Sequence, residues 1–223
     1  MNDIFDPMHQ NRPASSGKLR ASVFLFPAMI VICFLSYEFL DIPIARFFAP
    51  HKGALTTIFE GITYFGRSTL YLIVSALAFI WFKFLRKCPV WANAAAFIFA
   101  SIALSGIAND SIKYLAGRSR PNLLLSEQIY GFRHFVNQYS YNSFPSGHAN
   151  TAAALFYSLY LIRDKYLYIY IPAASAIILS RVILDAHFLS DVIFGAYLAI
   201  VVTSFLKIVF EKKDIIIEAE IRR

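Results

Sequence analysis

Residues 171–202 read IPAASAIILSRVILDAHFLSDVIFGAYLAIVV. Two apolar runs meet at a short polar hinge, and the hinge carries Ser180, Arg181, His187 and Asp191. The runs extend to about Leu167–Ala186 on one side and Leu189–Phe210 on the other. Each is near the ~20 residues that a helix needs to cross a bilayer. Charge placed at the end of a membrane span is expensive and marks a functional position. The chain therefore reads as membrane helices that gather polar chemistry where they end.

Working outward, four more apolar runs of spanning type appear, at about Ala21–Leu40, Ser68–Phe84, Trp91–Ala116 and Gly147–Leu161. Basic residues precede the first, as in a signal peptide, but it is long enough to span and no small-residue cleavage site follows, so an uncleaved span is expected. Between the first two, Leu55, Ile58, Phe59 and Ile62 recur at helical spacing with Glu60 among them, the pattern of a short helix lying in the interface. The expected fold is all-α: a polytopic membrane bundle of six transmembrane helices plus one short interfacial helix. Residues 1–20 read as a flexible cytoplasmic tail, 21–210 as the membrane domain and 211–223 as a second cytoplasmic tail, with Ile215, Ile216 and Ile217 an apolar patch of no evident use. Residues 117–146 form the one long polar connection.

The composition agrees with lipid as solvent. Hydrophobic residues make up 58% of the 223 and charged residues 16%, against roughly 25% charged in a soluble domain. The net charge of +7 does not point to nucleic acid, because the cations sit just beyond apolar runs and form neither a recognition helix nor an aromatic RNA-binding sheet. Cys33 lies within the first run and Cys88 in a basic connector, so no disulfide joins them and both read as small apolar filler. Six crossings put both termini on one side. The first 20 residues, the 83–90 and 162–166 connectors and the chain from Lys207 onward hold 13 of the 21 Lys and Arg. The positive-inside rule makes that side cytoplasmic. The polar ends of the third, fourth and fifth spans then all face outward together.

Four short pieces carry the chemistry: Lys113 followed by Arg120-Pro121, Pro145-Ser146-Gly147-His148, Ser180-Arg181, and His187 with Asp191. Singly, Lys113 and Arg120 read as snorkelling anchors, Pro145 to Gly147 as a helix start, His187 and Asp191 as a structural pair, and Asp110 as a local partner of Lys113. Together they are complementary. Lys113, Arg120 and Arg181 can grip a phosphate, helped by Ser146 and by backbone N–H groups at Gly147, where a helix opens. One histidine can attack phosphorus, Asp191 can orient a ring if the two share a helix face, and the other histidine can protonate the departing oxygen. The residue types do not say which histidine does which. His148, His187 and Asp191 are acceptable metal ligands, but three cations in one pocket repel a metal ion, so neither metal nor cofactor is expected.

Lys113-x6-Arg120-Pro121, Pro145-Ser146-Gly147-His148 and Ser180-Arg181-x5-His187-x3-Asp191 resemble the three-part signature of the type 2 phosphatidic acid phosphatase family, whose superfamily includes the vanadium haloperoxidases. The likeness spans about residues 106–195. It implies a metal-independent phosphatase in which His187 forms a phosphohistidine, Asp191 positions it and His148 protonates the leaving lipid oxygen. Lys113, Arg120, Ser146, Gly147 and Arg181 would hold the phosphate. The implied substrate is a membrane lipid: undecaprenyl diphosphate, a lipid A phosphate, phosphatidylglycerophosphate or phosphatidate. Loop 122–144, with Tyr130, Phe132, Arg133, Phe135, Tyr139, Tyr141 and Phe144, is expected either to choose among them or to form an interfacial aromatic belt. In a Gram-negative cell the expected location is the inner membrane with the site facing the periplasm. The alternatives are a vanadate-dependent haloperoxidase and a catalytically silent lipid-binding or transport protein. The oligomeric state is not legible.

Overall fold

Among residues 24–50, 53–136 and 138–217, which the computed structural model describes, the regular elements are helical apart from one isolated bridge between Arg118 and Phe132. The expected N-terminal tail lies outside the described residues. Helix α1 (Phe26–Phe48) begins with a proline in its first turn, where a missing N–H costs nothing. It passes through a π-helical turn at Ser36–Leu40 just before Pro43, whose absent N–H breaks the regular ladder there. Next come α2 (Ala54–Tyr64), α3 (Ser68–Ile80, continued by a π turn Trp81–Leu85) and α4 (Pro89–Ala116). The short α5 (Pro121–Glu127) leads through an irregular stretch to α6 (Gly147–Ile162), α7 (Leu167–Ile183) and α8 (Leu189–Lys212).

Five stretches are long and apolar enough to cross a membrane, namely Phe26–Phe48, Thr56–Leu85, Pro89–Ala116, Asp164–Ile183 and Leu189–Lys212. The protein is an integral membrane helical bundle. The remaining expected span is α6, a helix of 16 residues, roughly 24 Å long at 1.5 Å per residue. Its shortness follows from its place. It is packed by α4, α7 and α8, and Ala149, Ala152 and Ala154 are fully buried. Small residues let these helices approach closely, since lipid gives no hydrophobic drive for helix association and packing must supply it. Ala153, Ala154, Ile102 and Ala199 form one such contact layer. Large side chains such as Leu77, Ile107 and Ile171 face outward, as a lipid-facing surface requires.

A short helix stands where the interfacial one is expected, α2, set off from α3 by the turn at residues 65–67 and packed on α7. The C-terminal segment differs from a simple tail. After α8 the chain turns back, Asn93 Nδ2 donates to the Ile216 carbonyl at 3.1 Å, and Ile217 is fully buried beside Ala94, Phe97 and Leu206. Ile217 closes one end of the bundle, while Ile216 stays exposed. The other end holds the polar pieces.

Candidate active site

Gly117 ends α4 with φ at 59°. A Cβ there would collide with the Arg133 backbone, and L residues with side chains are strained at that φ. The sharp exit lets Arg118 and Arg120 leave the helix and turn directly over the bundle end. Arg120 occupies the N-cap of α5, at the start of the long connection. Its guanidinium donates to the carbonyls of Tyr139 (2.9 Å), Ala186 (2.9 Å) and Asn142 (3.2 Å). It thus ties the long connection to the α7–α8 turn and keeps the group fixed without using all five donors.

Ser146 caps α6, its hydroxyl accepting from Ala149 N at 3.5 Å. Its own N–H donates to the Asp191 carbonyl at 3.0 Å, joining the turn before α6 to the first turn of α8. The two lie so close that a Cβ on Gly195 would stand 2.6 Å from the Ser146 carbonyl oxygen. Gly147 opens the helix, and the Lys113 ammonium lies 3.8 Å from where its Cβ would be. Lys113 is also 4.0 Å from Asp110, so the local ion pair exists beside the site. The ring of His148 packs against Gly66, where a Cβ would lie 2.5 Å from the ring. Arg181 at the end of α7 donates to Thr63 Oγ1 on α2. His148 is within charge–charge range of Arg181, His187 and Lys113. All eight residues singled out in the sequence therefore converge at one end of the bundle.

The hinge corrects one detail. His187 and Asp191 do not share a helix face, because His187 lies in the turn before α8 and Asp191 in its first turn. Nor does the carboxylate hold the ring, since Asp191 Oδ2 stands 3.8 Å from His187 Nδ1, beyond hydrogen-bond length. The Ser143 carbonyl holds it at 2.7 Å. A carbonyl can only accept, so Nδ1 carries the proton and Nε2 of the neutral ring keeps its lone pair. Asp191 acts one step back. Its Oδ2 accepts from Ser143 Oγ (2.6 Å) and Phe188 N (2.9 Å), fixing both neighbours of the ring.

Behind Asp191 stands a residue that sequence reading missed. Arg118 is 1% exposed and donates to Asp191 Oδ1 through Nη1 and to Asp41 Oδ2 of α1 through Nη2, the latter at 2.7 Å. The rings of Tyr37, Tyr130, Phe132 and Phe188 surround it, their centroids 4.6–5.4 Å from the guanidinium carbon. Tyr130 and Phe132 of the long connection build part of this cage, while Phe132 stays 45% exposed. Phe135 and Tyr139 remain exposed, and Arg133 stacks near Tyr141. The pair of Arg118 with two carboxylates holds its guanidinium above the usual arginine range despite burial. The one available clue was negative: Arg118 is a cation on the side that charge counting leaves poor in cations.

Burial above all, helped by Arg120 and Arg181 and opposed by Asp191, pulls the His187 ring from 6.5 down to about 4. A folded value below the unfolded one means that the stabilising contribution is complete above about pH 6.5 and is lost as pH falls through about 4. The ring is neutral at pH 7. In histidine-labelled protein in detergent, the resonance that disappears in His187→Asn is expected to titrate near pH 4; a midpoint at 6 or above would show that the ring is not held in this way.

Among the described residues no group of three or more His, Cys, Asp or Glu is arranged to hold a metal ion. Residues 94–215 match the model of the PAP2 superfamily. The chain is 30% identical over 171 residues to a lipid A 1-phosphatase of Rhizobium etli, covering 72% of this chain and 73% of that protein. It is 31% identical over 175 residues to a lipid A 1-phosphatase of Rhizobium johnstonii, covering 72% and 69%. In fold it resembles the crystal structure of a transmembrane PAP2-type phosphatidylglycerolphosphate phosphatase from Bacillus subtilis, with a TM-score of 0.62 and 24% identity, over 86% of this chain and 96% of that one.

Proposed function

The chain belongs to the PAP2 superfamily and is a membrane phosphatase of lipid phosphate esters, and from that premise we propose that it works through a phosphohistidine on His187 at the membrane face opposite its termini. The observation that carries the reading is the hydrogen bond from His187 Nδ1 to the Ser143 carbonyl, which leaves Nε2 free on a ring that feels the cations Arg120 and Arg181. Lys113, Arg120 and Arg181 hold the phosphate oxygens together with Ser146 and the backbone at Gly147. His148 takes up a proton together with the phosphate anion and enters the step as the imidazolium. Nε2 of His187 forms a bond to phosphorus as the bond to the lipid oxygen breaks, and His148 gives that oxygen the proton. The ring becomes cationic, and the Asp191 carboxylate 3.8 Å away favours that charge. Water then attacks phosphorus, His148 takes its proton, and phosphate departs from a ring again neutral.

The relatives named as lipid A 1-phosphatases favour a saccharolipid phosphate of that type as substrate. The distribution of Lys and Arg favours cytoplasmic termini, an outward site and, in a Gram-negative cell, the inner membrane. The test is phosphate release by purified protein in detergent with EDTA, across lipid A, phosphatidate, phosphatidylglycerophosphate and undecaprenyl diphosphate. Release from lipid A at least ~10-fold faster than from the others is expected, a gap of ~1.4 kcal/mol. Preference for another lipid would overturn the substrate, and loss of release on chelation would overturn the metal-free mechanism.

A further inference from the structure

Asp41 is an acid near the end of α1, outside the stretch that matches the superfamily, and it is 1% exposed. A buried carboxylate survives only when its oxygens are paired or bonded, and this one is saturated. Oδ1 accepts from Ser36 Oγ at 2.9 Å and from the Ser190 N–H at 3.0 Å. Oδ2 accepts from Arg118 Nη2 and from Ser190 Oγ. Tyr130 Oη adds a longer contact to Oδ2 at 3.4 Å, and every donor except Ser36 and Tyr130 belongs to Arg118 or to the first turn of α8, next to Asp191. Arg118 bridges the two acids with separate nitrogens, a use that the planar guanidinium permits and a lysine ammonium does not.

The charge arithmetic is informative. Arg118 alone against Asp191 would make a neutral pair and cancel the field of that carboxylate at the His187 ring. With Asp41 behind it, the trio of two carboxylates and one guanidinium keeps one net negative charge. We propose that Asp41 and Arg118 are positioning residues for the His187 nucleophile, clamping Asp191 in place while preserving a negative charge beside the ring. The inference rests on the phosphohistidine reading. The clamp acts through Asp191 on Ser143 Oγ and Phe188 N, and so on the carbonyl that holds Nδ1. Its charge favours the cationic ring of the intermediate over the neutral ring of the resting enzyme. The other charged and titratable groups around that ring are Asp191 of α8, Arg120 of the connection, Arg181 of α7 and His148 of α6, and none of them changes in the variants below.

Full-length Asp41→Asn removes the charge while keeping size and one acceptor. Its expected signature is a kcat lower by about 10- to 100-fold, the scale of a ~1.4–2.8 kcal/mol loss. Inhibition by orthovanadate, a phosphate analogue, should stay within ~2-fold, and the His187 resonance should titrate at lower pH. Ser36→Ala, which drops one hydrogen bond to Asp41 and no charge, should keep kcat within ~3-fold and the titration unchanged. Arg118→Lys keeps the cation but cannot span both acids, so it should lower kcat without moving the titration. It carries the test if Asp41→Asn does not fold. Wild-type kcat in Asp41→Asn and Arg118→Lys, or equal loss of kcat and vanadate affinity with a lowered melting temperature, would overturn the proposal. An inactive wild-type protein would instead remove the phosphohistidine reading beneath it.

Discussion

His187→Ala is expected to abolish phosphate release from lipid, by at least ~10³-fold, since removal of a nucleophile leaves only the residual rate that binding and electrostatics supply. The argument lies in the division of labour at the bundle end. Lys113, Arg120 and Arg181 are held by contacts that do not involve the His187 ring: Arg120 by three carbonyls, Arg181 by Thr63 and Lys113 beside Asp110. Anion binding should therefore survive the mutation while covalent chemistry does not. Two readouts separate these. Orthovanadate should still bind within ~3-fold of wild type, and lipid carrying labelled phosphate should label the wild-type protein but not the variant. Quenching in alkali, where a phosphorus–nitrogen bond survives, makes the label visible. Labelling that persists in a folded His187→Ala protein would move the nucleophile elsewhere, with His148 the next candidate.

The sequence was informative wherever function depends on residue type. Lysine, arginine and histidine at the ends of apolar runs have few cheap explanations, so Lys113, Arg120, His148, Arg181 and His187 could be picked out without coordinates. Spans could be read for the same reason, since lipid-facing helices must be apolar along their length. Helix α6 was read to within one residue as well, although at 16 residues it is shorter than a lipid-facing span usually is, because it is enclosed by its neighbours and held by packing.

What could not be read is what depends on the main chain or on distant pairing. The carbonyl of Ser143 carries no signature, because every residue has one, and its proximity to the His187 ring exists only after the long connection has folded. Asp41 and Arg118 are 77 positions apart, and each looks ordinary alone. The four-residue spacing of His187 and Asp191 invited a helical reading, and it failed because the helix begins two residues after the histidine. Ile217 could not be placed either, since the groove between Ala94 and Leu206 that receives it is made by two helices far apart in the chain.

The second large effect concerns His148, and it depends on the leaving group. A lipid alkoxide is a poor leaving group, so losing its proton donor should cost about 10²- to 10⁴-fold. p-Nitrophenolate leaves without protonation. His148→Gln should therefore phosphorylate itself with p-nitrophenyl phosphate at close to the wild-type rate, yet barely act on lipid. The second half of the cycle loses its base as well, because the group that protonates the leaving oxygen is the one that deprotonates water. The phosphoenzyme should then accumulate, giving a burst of nitrophenolate equal to the amount of enzyme, followed by slow turnover. Wild type should show a smaller burst or none. Glutamine is the chosen replacement because Gly66 leaves little room beside this side chain, and a planar amide disturbs that contact least. Equal loss on both substrates with no burst would mean that His148 is needed to bind phosphate, and the assignment of the proton to it would fall.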